Sequence, residues 1–276
     1  MGVPADRLAA ALAAGYEAFE EGAWGVASAQ AAAAEQAWRD AGSVADPADG
    51  CEAALLSAQV AAAHGDDAAA FEHLREAAVR DPGASSVRLV EARLRMERWE
   101  LERAGELLAT CDVDELGAEL IYERAVVAEL RGEQGRADQL YRDAERADPE
   151  GFPAPVRMAD GEALALLKEL VAMLPADVRA TLANVRIDLL DVPDAAIDGS
   201  PDTDPLVLGL YHGTPITDEL DRGIGLPDTV RIFKRNIERL AADRGELVEQ
   251  LRITLLHEIG HHLGWDEDEV ADHGLA

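Results

Sequence analysis

The feature that most restricts the fold is an internal repeat. Gly65, Ala70, Ala77, Asp81 and Pro82 recur 67 residues later as Gly132, Ala137, Ala144, Asp148 and Pro149. Each copy reads as a turn glycine, then a helix with small residues where a neighbouring helix comes close, then an Asp-Pro that stops it. The spacing is twice about 34 residues. A weaker copy lies between, with Arg98-Trp99 at the turn, Ala104 at the small position and Leu108 at the large one. An earlier Asp46-Pro47 closes a longer unit that begins near Leu8. About four helix pairs are expected over residues 5 to 150, stacked so that neighbours bury one another. An aromatic content of only 4%, with alanine in excess, suits closely packed helices better than a β-sandwich.

Gly151, Pro153 and Pro155 interrupt the helical pattern. They divide the chain into a helical repeat domain, residues 1–151, and a second domain, residues 152–276. There a helix from Gly161 to Leu174 leads into short apolar runs at Val185 to Leu190, Leu206 to Tyr211 and Thr229 to Phe233, which read as strands. A helix from about Arg235 to Asp243 follows. The last helix, Gly245 to Leu263, has leucines so widely spread around it that it must be largely buried.

Charge narrows the function. With 25 basic against 55 acidic side chains the net charge is −30, so neither a nucleic-acid backbone nor an anionic membrane surface is an expected partner. No run approaches the ~18 apolar residues of a membrane span. Cys51 and Cys111 lack a partner at metal-ligand spacing and read as small core residues in a reducing, cytoplasmic setting.

The chemistry is concentrated in the last helix. His257-Glu258-Ile259-Gly260-His261 is an H-E-x-x-H pattern. Residues four apart share a helix face, about 5–6 Å apart at Cβ, so both imidazoles reach one Zn²⁺. Glu258 is rotated about 100° from His257 and stands beside the metal without binding it, in position to take a proton from zinc-bound water. A third protein ligand is expected from the tail after His261. Gly264 can adopt the left-handed conformation that ends the helix and turns the chain back. Asp266, Glu267, Asp268, Glu269, Asp272 and His273 are the candidates. His262 faces away from the pair and reads as a packed imidazole. Leu206 to Tyr211 reads either as an edge strand that aligns an extended peptide or as an ordinary buried strand, and Tyr211 as a candidate oxyanion donor.

Two resemblances follow. The repeat pattern resembles the tetratricopeptide repeat, with alanine or leucine at most of its large aromatic positions; this implies a concave surface that binds a protein or extended peptide. The stretch Thr254 to Asp268, with Leu208 to Thr217 and Leu226-Pro227-Asp228 before it, is similar to the small bacterial zincin-like metallopeptidases with a minimal metzincin-like domain. It implies a compact α/β fold, Zn²⁺ held by His257, His261 and an acidic tail residue, and Glu258 as general base. The spacing H-E-x-x-H-x-x-G-x-x-E puts Glu267 at the third-ligand position, with Asp268 and Asp266 as alternatives. The expected fold class is α+β, an all-α tetratricopeptide-like solenoid followed by a minimal zincin domain. The expected function is a zinc metallopeptidase that takes a peptide or protein substrate, with the repeats binding or presenting a polypeptide. The rival is a non-catalytic interaction scaffold with a structural or vestigial metal site.

Overall fold

The computed structural model describes residues 4–42, 46–199, 203–217 and 228–272. The first half is helical in pairs: α1 (Pro4–Glu20) and α2 (Trp24–Ala41), α3 (Pro47–Ala63) and α4 (Asp67–Arg80), α5 (Ser85–Glu97) and α6 (Leu101–Ala109), α7 (Val113–Leu130) and α8 (Gln134–Ala147). The repeat explains where they turn. Gly65 and Gly132 take φ of 72° and 76° between the helices of their pairs. Trp99 occupies the same turn in α5/α6 at φ 63°, a conformation that disfavours a side chain by about 1–2 kcal/mol. Its indole N–H donates to the Thr203 carbonyl oxygen at 2.8 Å. Ala70, Ala77, Ala104, Ala137 and Ala144 are all fully buried, as the small positions require. Cys51 and Cys111 are buried and unpaired.

The chain forms two compact units, Met1–Met96 with Glu100–Leu120, and Glu97–Trp99 with Ile121–Ala276. The Gly/Pro segment at 151–155 therefore lies inside the second unit. Its physical reason is a buried charge network. Glu129, fully buried on α7, accepts from Arg157 at 2.7 Å, Arg235 at 3.2 Å, Arg239 at 2.9 Å and the Tyr141 hydroxyl at 3.0 Å. Asp138 on α8 shares Arg157 and Arg235. Buried Glu238 accepts from Arg157 and from the Met158 N–H. These pairs tie the later part of α7, and α8, to the helix that follows the sheet.

Among the described residues that sheet has three strands, β1 (Arg186–Leu190), β2 (Gly209–His212) and β3 (Thr229–Phe233), in the order β1-β3-β2. β1 runs parallel to β3 with Arg186 opposite Thr229, and β2 runs antiparallel with Gly209 opposite Ile232. β2 is thus an edge strand. It starts at Gly209 rather than Leu206, because the preceding backbone is engaged elsewhere. The Asp204 carboxylate accepts the Leu206 N–H at 2.8 Å, and the Asn236 amide donates to the Pro205 and Val207 carbonyls at 2.9 and 2.7 Å.

α9 (Asp160–Met173) packs on β1 and α12 (Arg244–Leu263) on β2 and β3; α10 (Ala176–Thr181) leads into a 3₁₀ turn at Leu182–Asn184, and α11 (Lys234–Leu240) and α13 (Glu267–Asp272) pack against α12. α11 stops three residues earlier than the sequence suggests because Asp243 caps α12, accepting the N–H groups of Gly245 and Glu246. Leu247, Leu251, Leu255 and Ile259 form one stripe of α12 at 3% exposure or less and share a core with Val230, Ile232, Leu167 and Ile237. Such side chains contribute about 1.5–3 kcal/mol each when fully buried, so α12 is a rigid platform for what its last turns carry. No described helix is long and apolar enough to cross a membrane.

Candidate metal centre

His257 and His261 meet as their spacing predicts. Their Nε2 atoms stand 2.9 Å apart, near the roughly 3.3 Å edge of a tetrahedral zinc site with bonds of 2.0–2.1 Å. The His261 Nδ1–H donates to the Trp265 carbonyl oxygen at 3.1 Å, which fixes the ring and leaves the Nε2 lone pair for a metal. Glu267 completes the cluster, with carboxylate oxygens 3.4 Å from His261 Nε2 and 3.8 Å from His257 Nε2. Among the described residues, these three are the group of histidine, cysteine and acidic side chains close enough to share one ion. Two imidazoles and a carboxylate are a donor set suited to zinc. The residues fit the ion.

The turn after α12 explains why Glu267 and not its neighbours arrives. Gly264 ends the helix at φ 91°, its N–H donating to the His261 carbonyl oxygen while the Trp265 N–H reaches back to that of Gly260. Those are the two bonds of a Schellman ending. Trp265 and Val270 then pack over Gly260, where a Cβ would lie 2.9 Å from Trp265 Cε3 and 3.2 Å from Val270 Cγ2. Asp266 and Glu269 are reciprocally engaged: the Asp266 N–H donates to Glu269 Oε2 at 3.1 Å, and the Glu269 N–H to Asp266 Oδ1 at 2.9 Å. That capping box starts α13 and occupies both carboxylates. Asp268 is not drawn into the cluster. His273, the side chain of Asp272 and Leu226-Pro227 lie outside the described residues. The Asp266-x-x-Glu269 spacing was the signal, readable in the sequence, that Asp266 would be needed as a cap.

Replacing Gly264 is a direct check on this turn. A Cβ there collides with the Thr217 side chain and occupies the left-handed region at about 1–2 kcal/mol. Gly264→Ala is expected to weaken zinc binding about 10–100-fold, the scale on which groups that orient ligands act, as read by chelator competition.

Glu258 is only 5% exposed. Burial pushes its carboxyl up to about 8 from an ordinary 4.5, opposed by a hydrogen bond from the Tyr211 backbone N–H and reinforced by the Glu267 charge. In the metal-free protein a raised carboxyl favours the fold while protonated. Stability should therefore be highest below pH 4.5 as regards this group and fall as pH rises toward 8, by up to about 5 kcal/mol. Glu258→Gln removes that component. Thermal melts of the chelated proteins from pH 5 to 9 are expected to diverge, with wild type losing more.

His262 is 1% exposed, its Nδ1 lying 3.2 Å from the Tyr211 hydroxyl and 3.6 Å from Asp228 Oδ2. The Tyr211 hydroxyl, read from sequence as an oxyanion donor, also donates to the Thr214 carbonyl oxygen at 3.1 Å. What sequence reasoning missed is the backbone of that residue, whose N–H meets Glu258.

Residues 182–275 match the model of a family described as Zincin-like metallopeptidase. The match spans the three strands, α11, α12 and α13, and stops short of the helical pairs. A comparison with curated proteins found no match.

Proposed function

We propose that the chain is a zinc-dependent metallopeptidase in which His257, His261 and Glu267 hold Zn²⁺ and Glu258 is the general base. The observation that carries the reading is the convergence of two imidazole Nε2 atoms and one carboxylate beside a separate, buried glutamate. The family match over 182–275 supports zinc-dependent peptidase activity. When bound, the ion supplies Lewis acidity that lowers the pKa of a water molecule and polarises the scissile carbonyl.

The protein's own groups do the rest. His261 is held in one tautomer by the Trp265 carbonyl. Glu258, steadied by the Tyr211 N–H, takes the proton as the water oxygen bonds to the carbonyl carbon, then delivers it to the nitrogen as the C–N bond breaks. Among the described residues β2 is at an edge of the sheet, a strand along which an extended peptide can align. The helical repeats bind or present the polypeptide, and a net charge of −30 favours neutral or basic segments over acidic ones.

The test is a peptide-library cleavage assay on zinc-loaded protein with chelated protein as control. Cleavage that depends on zinc supports the reading. Zinc bound with no cleavage of any peptide would favour the interaction scaffold instead.

A further inference from the structure

Strand β2 meets the proposed general base with a glycine. A Cβ built on Gly209 would stand 2.8 Å from Glu258 Oε1, 2.9 Å from Glu258 Cγ and 2.8 Å from Thr254 Cγ2. Something must shift to admit it. Thr254 and Glu258 are one turn apart on α12 and share a face, so Gly209 lies over the patch of helix that carries the base. Two residues on, where strand geometry returns to the same side, the Tyr211 N–H donates to the Glu258 carboxylate. At 5% exposure the carboxylate is enclosed.

We propose that Gly209 is a positioning residue for Glu258: the missing side chain at 209 and the N–H at 211 together fix the carboxylate from the strand side. The inference rests on Glu258 being the general base. On this account β2, and not α12 alone, decides where the base stands relative to the His257/His261 pair. The competing account is that Gly209 only lets strand and helix pack closely, in which case a side chain there loosens the fold and the metal site together.

The experiment combines Gly209→Ala with two backgrounds. In the otherwise wild-type protein kcat is expected to fall at least ~30-fold while KM, the melting temperature and the zinc affinity of metal-free protein, measured by chelator competition, stay near wild type, with affinity and KM within about threefold. In the Glu258→Asp background the contact at Oε1 is lost while those at Cγ and at Thr254 Cγ2 remain, so the same change should lower kcat by less than it does with Glu258 in place. In the Thr254→Ala background, which removes the helix-side contact, the ~30-fold loss should persist; this double variant carries the test if Gly209→Ala alone does not fold. Wild-type kcat for Gly209→Ala overturns the proposal, as do recovery in the Thr254→Ala background, equal losses with Glu258 and with Glu258→Asp, or a parallel fall in zinc affinity. The underlying reading has its own failure: Glu258→Gln cleaving as well as wild type. An inactive Glu258→Gln beside a fully active Gly209→Ala would leave that reading standing and remove only this one.

Discussion

Glu258→Gln is expected to abolish most peptide cleavage, lowering kcat about 10²–10⁴-fold, the usual contribution of a positioned acid–base group. Zinc content should not change, because the proposed metal donors are His257, His261 and Glu267, a group that does not include Glu258. The amide keeps the shape and can still accept the Tyr211 N–H that meets Glu258, so the variant isolates proton transfer from packing. KM should stay within a few-fold, since the loss belongs to the transition state and not to substrate binding. Steady-state kinetics on matched, zinc-replete samples gives both quantities. Equal cleavage by the two proteins would contradict Glu258 as base even if zinc were bound as described.

The largest expected effect on stability lies far from the site in sequence. Glu129→Ala should destabilise the second unit by about 3–5 kcal/mol, the range for removing one partner of a buried ion pair. Arg239, with 8% of its side chain exposed, loses its carboxylate partner, and the Tyr141 hydroxyl loses its acceptor. Asp138 and Glu238 then face Arg157, and Asp138 faces Arg235, without the central charge. Such a loss is a large share of the roughly 5–15 kcal/mol that holds a typical domain folded. Urea denaturation followed by circular dichroism should show the shifted midpoint. A shift corresponding to less than about 1 kcal/mol, the value of an exposed pair, would mean the network is solvated.

That network also marks the limit of the sequence. Gly65, Gly132 and the alanines between them announced paired helices, because turn geometry and close packing leave a local record. His257, Glu258, His261 and Gly264 were readable for the same reason: helix periodicity places the first three, and a left-handed ending calls for glycine at the fourth. Glu129 left no such mark. It is one acidic residue among 55 acidic side chains, and its partners Arg235 and Arg239 lie 106 and 110 residues away. The association of Ile121–Ala147 with the second unit was therefore hidden, while the prolines after it suggested a division. β2 shows a related limit. Leu206 and Val207 have strand propensity, but Asp204 and Asn236 engage the backbone before it can pair. In the tail, the spacing after His261 favoured Glu267, and the reciprocal bonds of Asp266 and Glu269 account for those two carboxylates.

The central claim is that His257, His261 and Glu267 form a zinc site. Metal content by mass spectrometry on purified wild type, His261→Ala and Glu267→Ala tests it most directly. Structural zinc in small peptides binds with roughly 10–16 kcal/mol in total, and on that scale one ligand carries about 3 kcal/mol, near a hundredfold in affinity. The account predicts one zinc per wild-type chain and substoichiometric zinc in both variants after dialysis against a weak chelator. Wild-type protein without zinc, or full occupancy in His261→Ala, would contradict it.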